Sequence, residues 1–272
     1  MKNLQILFYN LQTSKITCST SPLRTSFGWT DNDIFQEDVH EFFNLFLDKI
    51  IEKFKSPEQK EEIESLFKFK VQPTISNEAF AFSKELPVDV QSTLSLFIGS
   101  RTNIQEMINE MASEIDYDLP NAKHVPCVIT EHFISLPRIL FIHVNRSSYD
   151  KEKDERIRIN KPITYQERIV VNFQGLDVEF VLHGILNHLS KDANFGHYVA
   201  ILRPTVKDEW FSFNDSHVNR VSSSQAMNMK EECYVLIYAR SDTEEEDFKE
   251  VKDEEIPETI KDISENASFD VI

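Results

Sequence analysis

The chain is poor in glycine and cysteine, with 5 and 3 in 272 residues. So few glycines mean that tight turns with positive φ must also be built on Asn and Asp. The three cysteines, Cys18, Cys127 and Cys233, form no C-x-x-C pair and no even set, which argues against a disulfide framework and against structural zinc. That usage fits a reducing compartment, cytoplasm and/or nucleus. Positive charge is also scarce: 29 Lys and Arg face 46 Asp and Glu, for a net charge of −17. Such a balance points away from nucleic acid and anionic membrane and toward a protein partner. No run is long and apolar enough to cross a bilayer.

What is present is a globular composition, 40% apolar with 21 Phe, able to build a sizeable core. Apolar residues repeat at helical spacing over 3–12, over 19–29 behind Ser21-Pro22, and most clearly over 37–55, where Val39, Phe42, Phe43, Phe46, Leu47, Ile50 and Ile51 make one stripe. A further helix is predicted near 58–66. From Phe67 the pattern alternates. Strands are predicted near 67–74, 79–84, 88–95, 126–134, 139–145, 156–160, 168–173, 177–187, 196–203, 209–214 and 233–240, with one helix over 103–114 capped by Asn103. Helices first and a largely antiparallel region after them make an α+β class. Residues 241–272 hold 13 Asp and Glu against 3 Lys and are expected to form an acidic, disordered tail.

Two boxes carry the chemistry. Asn194-Phe195-Gly196-His197-Tyr198-Val199 is followed by Trp210-Phe211-Ser212-Phe213-Asn214-Asp215. His197 is the candidate base, since an imidazole can take a proton at neutral pH. Asn214 or Asp215 would fix its tautomer by accepting a ring N–H. Gly196 removes a side chain beside it, and Tyr198 offers a flat wall. Near the long helix, Gln36-Glu37-Asp38-Val39-His40-Glu41 sets Asp38 and Glu41 three apart at a helix start, an arrangement that suits an arginine-bearing peptide. No upstream Cys or Ser is patterned as the nucleophile such a base would serve.

These boxes, with Phe8-Tyr9-Asn10-Leu11-Gln12, Ser26-Phe27-Gly28-Trp29, Leu136-Pro137-Arg138, Asn145-Arg146, His183-Gly184-Ile185-Leu186-Asn187-His188 and Cys233-Tyr234-Val235-Leu236, resemble the catalytic domain of the ubiquitin-specific proteases, nearest the herpesvirus-associated branch, over about residues 3–240. The resemblance implies a papain-like fold of thumb, palm and fingers, with 1–66 as a partial thumb, 67–240 as fingers and palm, and 241–272 as the tail. It implies His197 as general base with Asn214 and Asp215 beside it. Gln36, Asp38, Glu41 and Tyr198 would bind the tail of ubiquitin. Ubiquitin or ubiquitinated proteins are the implied partners, with no nucleic acid, membrane, metal or cofactor. The family's cysteine box would lie N-terminal to the helix matching 3–12, and it is not in this sequence. The chain therefore reads either as a thiol-dependent deubiquitinase domain completed elsewhere or as a catalytically dead ubiquitin-binding pseudoprotease. The absent thumb helix should leave apolar surface exposed on 4–11 and 39–54.

Overall fold

The computed structural model describes residues 1–14, 18–29, 38–150, 154–189, 196–228, 230 and 232–266. In chain order it contains α1 (Lys2–Thr13), α2 (Ser21–Ser26), α3 (Val39–Lys53), α4 (Pro57–Phe67), β1 (Phe69–Asn77), β2 (Phe82–Glu85), β3 (Asp89–Gln91), β4 (Leu94–Phe97) and α5 (Ile104–Glu110). There follow β5 (Ala112–Leu119), β6 (Ala122–Ser135), β7 (Ile139–Asn145), β8 (Ser147–Asp150), β9 (Glu155–Arg158), β10 (Arg168–Phe173), β11 (Leu176–Leu189) and β12 (His197–Leu202). The chain ends with β13 (Trp210–Asn214), β14 (His217–Val221), α6 (Ser223–Ala226), β15 (Cys233–Arg240), α7 (Glu244–Asp247) and α8 (Glu258–Asn266). Two compact units result: residues 1–55 with 249–272, and residues 56–248.

In the first unit the apolar stripe of α3 is used as predicted. Leu47 is buried, and Phe42 and Phe46 stack with Phe27 and Trp29 at centroid distances of 5.4 to 6.3 Å. Asp38 caps the helix, its carboxylate accepting from the backbone N–H of His40 at 2.8 Å and of Glu41 at 3.3 Å. α1 packs on α8, and Gln12 donates to the Val251 carbonyl at 2.6 Å. Phe8 and Leu11 of α1 and Leu45 of α3 remain exposed.

The second unit is built on two sheets. One has the order β2-β1-β6-β5, with β3 also on β1. The other has the order β14-β13-β12-β11-β15-β7-β4, with β10 also on β11. All pairings are antiparallel except β4 on β7. The core of the large sheet continues onto the near end of the smaller one through Phe69 and Val71, while Ile75, Leu119, Val125 and Cys127 form a separate small core farther along it. Buried Arg146 ties the large sheet to its connections through backbone carbonyls. It donates to the carbonyls of Cys233 at 2.8 Å, Lys161 at 2.8 Å, Lys230 at 2.9 Å and Ile159 at 3.2 Å.

Four segments differ from the sequence reading. The helix expected to run to 114 stops at Glu110, because Ile115, Tyr117 and Leu119 alternate with Glu114, Asp116 and Asp118 and form β5 of a long hairpin instead. The short strands β8 and β14 were not anticipated. The acidic stretch from Ser241 was expected to lack structure, yet α7 and α8 form within it. Glu244 pairs with Arg203 at 2.5 Å, Asp247 with Arg138 at 2.5 Å, and Phe248 stacks on His183 at 3.7 Å. Composition alone shows a solvated run; it cannot show that two arginines wait beside the strand ends.

β11 is the longest shared strand, paired to β15 along one edge and to β10 and then β12 along the other. Gly184 sits where these meet, and a Cβ there would stand 3.0 Å from Ile237 Cδ1 and 3.1 Å from Leu202 Cδ2. Gly184→Val is expected to destabilise unit 56–248 by about 2–3 kcal/mol through overpacking, measured by urea unfolding; a change within 0.5 kcal/mol would contradict this packing. His183 supplies a pH test. Burial, the largest influence, holds its pKa below the usual 6.5, against the raising effect of the Arg203 carbonyl and Glu244. The unfolded chain then binds the extra proton, so this contribution to stability is complete above pH 6.5 and falls as pH drops through it. His183→Gln should flatten the melting-temperature profile below pH 6.5, and an unchanged slope would refute that assignment.

Candidate functional site

β12 and β13 bring the two boxes together by register alone. Ala200 faces Phe213 and Ile201 faces Ser212, which sets Asn214 opposite Val199, two residues from His197 and on its face. Val199 and Ile201 are buried in the same inward-facing series, and Trp210 anchors β13 with its indole N–H on Asp208 at 3.0 Å. Beyond Asn214 the chain reverses through Asp215 and Ser216, closing on the pair Asn214 and His217. Asp215 holds φ of 51°, the left-handed conformation an Asp tolerates better than most residues.

The outcome is a hydrogen bond. His197 Nε2 lies 2.6 Å from Asn214 Oδ1, and since that oxygen only accepts, the ring carries its proton on Nε2. Asp215 Oδ2 stands 3.8 Å from the same nitrogen, too far for a hydrogen bond. With Nε2 engaged, Nδ1 is the nitrogen left to exchange a proton with a reacting group. About 44% of the His197 side chain is exposed, so a substrate can reach it.

Of the other residues singled out, Asp38 and Glu41 belong to the first unit. Asp38 is a helix cap as well as a surface carboxylate, and Glu41 is exposed on the first turn. His40, between them, has its pKa lowered by burial despite both carboxylates. Gln36 lies outside the described residues. Tyr198 is half-buried and stacks on His188, 4.6 Å between centroids and 22° between planes.

That stack is part of a row the sequence reading did not assign. Tyr234 lies 5.6 Å from His188 and 6.0 Å from Tyr198, His143 lies 4.7 Å from Tyr234, and Ser95 Oγ is 3.4 Å from His143 Nδ1. The residues come from β12, β11, β15, β7 and β4, neighbours in the sheet but scattered in sequence. A polar residue recurring near the same end of successive apolar strands is the signal that could have found them.

Two of the three thiols are packed away from any reacting group. Cys127 and Cys233 are buried, and burial pushes the Cys233 thiol up to about 12. Among the described residues no three His, Cys, Asp or Glu side chains gather in a way that would hold a metal ion.

The family model of the ubiquitin carboxyl-terminal hydrolases matches residues 1–238. Ubiquitin carboxyl-terminal hydrolase 15 of Saccharomyces cerevisiae is 26% identical over 94% of this chain and 25% of its own length. Ubiquitin carboxyl-terminal hydrolase 7 of Drosophila melanogaster is 30% identical over 88% of this chain and 23% of its own. The chain thus spans about a quarter of the length of these curated relatives. Among solved structures, the SAGA Ubp8/Sgf11/Sus1/Sgf73 DUB module bound to ubiquitin aldehyde aligns with a TM-score of 0.62 and 21% identity, over 76% of this chain and 50% of that one. The fold is therefore the α+β, papain-like fold of these proteases, and the chain belongs to the ubiquitin carboxyl-terminal hydrolase family.

Proposed function

We propose that this chain is a ubiquitin-binding deubiquitinase domain in which His197, oriented by Asn214 and aided by Asp215, is the general base for hydrolysis at ubiquitin's C-terminal glycine. The 2.6 Å contact between His197 Nε2 and Asn214 Oδ1 carries this reading. Residues 1–66 correspond to part of the thumb and 67–240 to fingers and palm. Similarity to hydrolase 7 of Drosophila melanogaster supports a place in the herpesvirus-associated branch. Free cysteines and an acidic surface agree with a reducing compartment, cytoplasm or nucleus, and with ubiquitin rather than nucleic acid or membrane as partner.

The nucleophile in this reading is a thiol of the cysteine box that the family resemblance implies. Its S–H proton passes to His197 Nδ1 as sulfur attacks the isopeptide carbonyl. The C–N bond then breaks, and the amine leaves with that proton. Water next attacks the thioester, giving its proton to His197, and the thiol is released. Asn214 keeps the Nε2–H in place throughout, so that Nδ1 faces the reacting atoms. Glu41 and Asp38 bind the tail's arginines, Gln36 also contacts the tail, and Tyr198, one residue beyond the base, covers its glycines. A pseudoprotease would share the binding but not the turnover.

Calorimetric titration with mono-ubiquitin tests the binding. Asp38→Asn retains a good helix cap while removing the charge. Combined with Glu41→Gln it is expected to weaken ubiquitin about tenfold, or ~1.4 kcal/mol; unchanged affinity would remove the claw from the site. The chemistry has its own test. A cysteine-directed ubiquitin probe should leave Cys18, Cys127 and Cys233 unlabelled. With a catalytic cysteine box supplied in cis, His197→Ala should lower kcat by about 10²–10⁴, and full turnover in that variant would reject His197 as the base.

A further inference from the structure

The proposed site depends on Tyr198 presenting a flat ring at the start of β12, yet a tyrosine at a strand end is free to rotate about χ1 and χ2 unless its surroundings prevent it. Here one face of the ring is taken by His188, the residue directly across the strand pair. A histidine could in turn flip or protonate, and the structure shows what restrains it. Arg158, from β9, reaches His188 twice: Nη1 lies 2.7 Å from Nδ1 and Nη2 donates to the backbone carbonyl at 2.9 Å. A guanidinium has no lone pair to offer, so His188 Nδ1 must accept, and the ring is the neutral Nε2–H tautomer. The two bonds together fix both the plane of the imidazole and its position on the strand. On the remaining side Tyr234 closes the stack, 5.6 Å from His188 and 6.0 Å from Tyr198. His188 is buried and Arg158 only half-exposed, so the restraint is screened little by solvent.

We propose that Arg158 and His188 are positioning residues for ubiquitin's C-terminal glycines, acting through the Tyr198 ring that they hold flat. This rests on the reading of Tyr198 as the cover of the ubiquitin tail. Glycine has no side chain to grip, so a groove can select it only by shape, with a wall too close for any Cβ. A rigid aromatic plate gives such a wall, whereas a swinging ring would admit larger residues and bind the glycines less well. The pair therefore governs the last two residues of the ligand and not its folded body.

The test uses the 272-residue chain and two ligands, ubiquitin and ubiquitin lacking its last two glycines, titrated calorimetrically. The natural chain should bind intact ubiquitin at least fivefold more tightly than the shortened form. In Arg158→Gln and in His188→Ala that ratio should fall to below twofold, with affinity for the shortened form unchanged. Arg158→Lys, which keeps the charge but not the two-point fork, should fail to restore it. Tyr198→Ala should give the same collapse, and it serves if an Arg158 variant does not fold. A variant that kept the fivefold ratio, or rescue by Arg158→Lys, would overturn the positioning role. Equal binding of both ligands by the natural chain would instead reject the reading of Tyr198, and binding of neither would reject the ubiquitin reading beneath it.

Discussion

The bond from His197 Nε2 to Asn214 Oδ1 is the interaction to which the rest of the site is subordinate. An imidazole free to choose its tautomer presents a proton to a reacting thiol part of the time and a lone pair the rest. Accepting at Asn214 removes that choice and leaves Nδ1 as the only basic nitrogen. The scaffold serves this one contact. Val199, Ile201 and Trp210 lock β12 and β13 in register, and the tight reversal at Asp215 stops β13 where Asn214 must stand. Asp215 Oδ2 sits 3.8 Å from the same nitrogen without displacing the amide.

Rigidity behind the site comes from polar groups placed inside an apolar sheet. Arg146 satisfies four carbonyls at once and so holds the start of β15 and the 159–161 connection against the end of β7. His183, Arg203 and Glu244 do the same where α7 meets the strands. Each network is costly if half satisfied, so each specifies one arrangement of its strands. β11 links them, carrying Gly184 where the neighbouring strands crowd it and His188 where the site begins.

Much of this was legible in the residues. Long segments with a clear period, such as α3 or β7, followed directly from where Phe42, Phe46 and Leu47 or Leu140, Ile142 and Val144 fall. The meeting of His197 with Asn214 was legible because both boxes had strand patterns and lie close enough in sequence to form adjoining strands. β5 was misread because Met107, Ile108 and Met111 extend a helical period into a strand that starts at Ala112. The docking of α7 and the row from Tyr198 to Ser95 were hidden for a different reason: a polar residue at one end of each apolar strand hints at such a row, but which strands become neighbours is not written in any local pattern.

Nitrogen-15 spectroscopy of the histidine side chains tests the central claim most directly, because it reports the tautomer at each ring. The neutral form of the His197 ring should appear as a single tautomer protonated on Nε2, with an Nδ1 shift typical of a bare lone pair, and Asn214→Ala should turn it into a mixture. A ring already mixed in the natural chain, or protonated on Nδ1, would contradict the account.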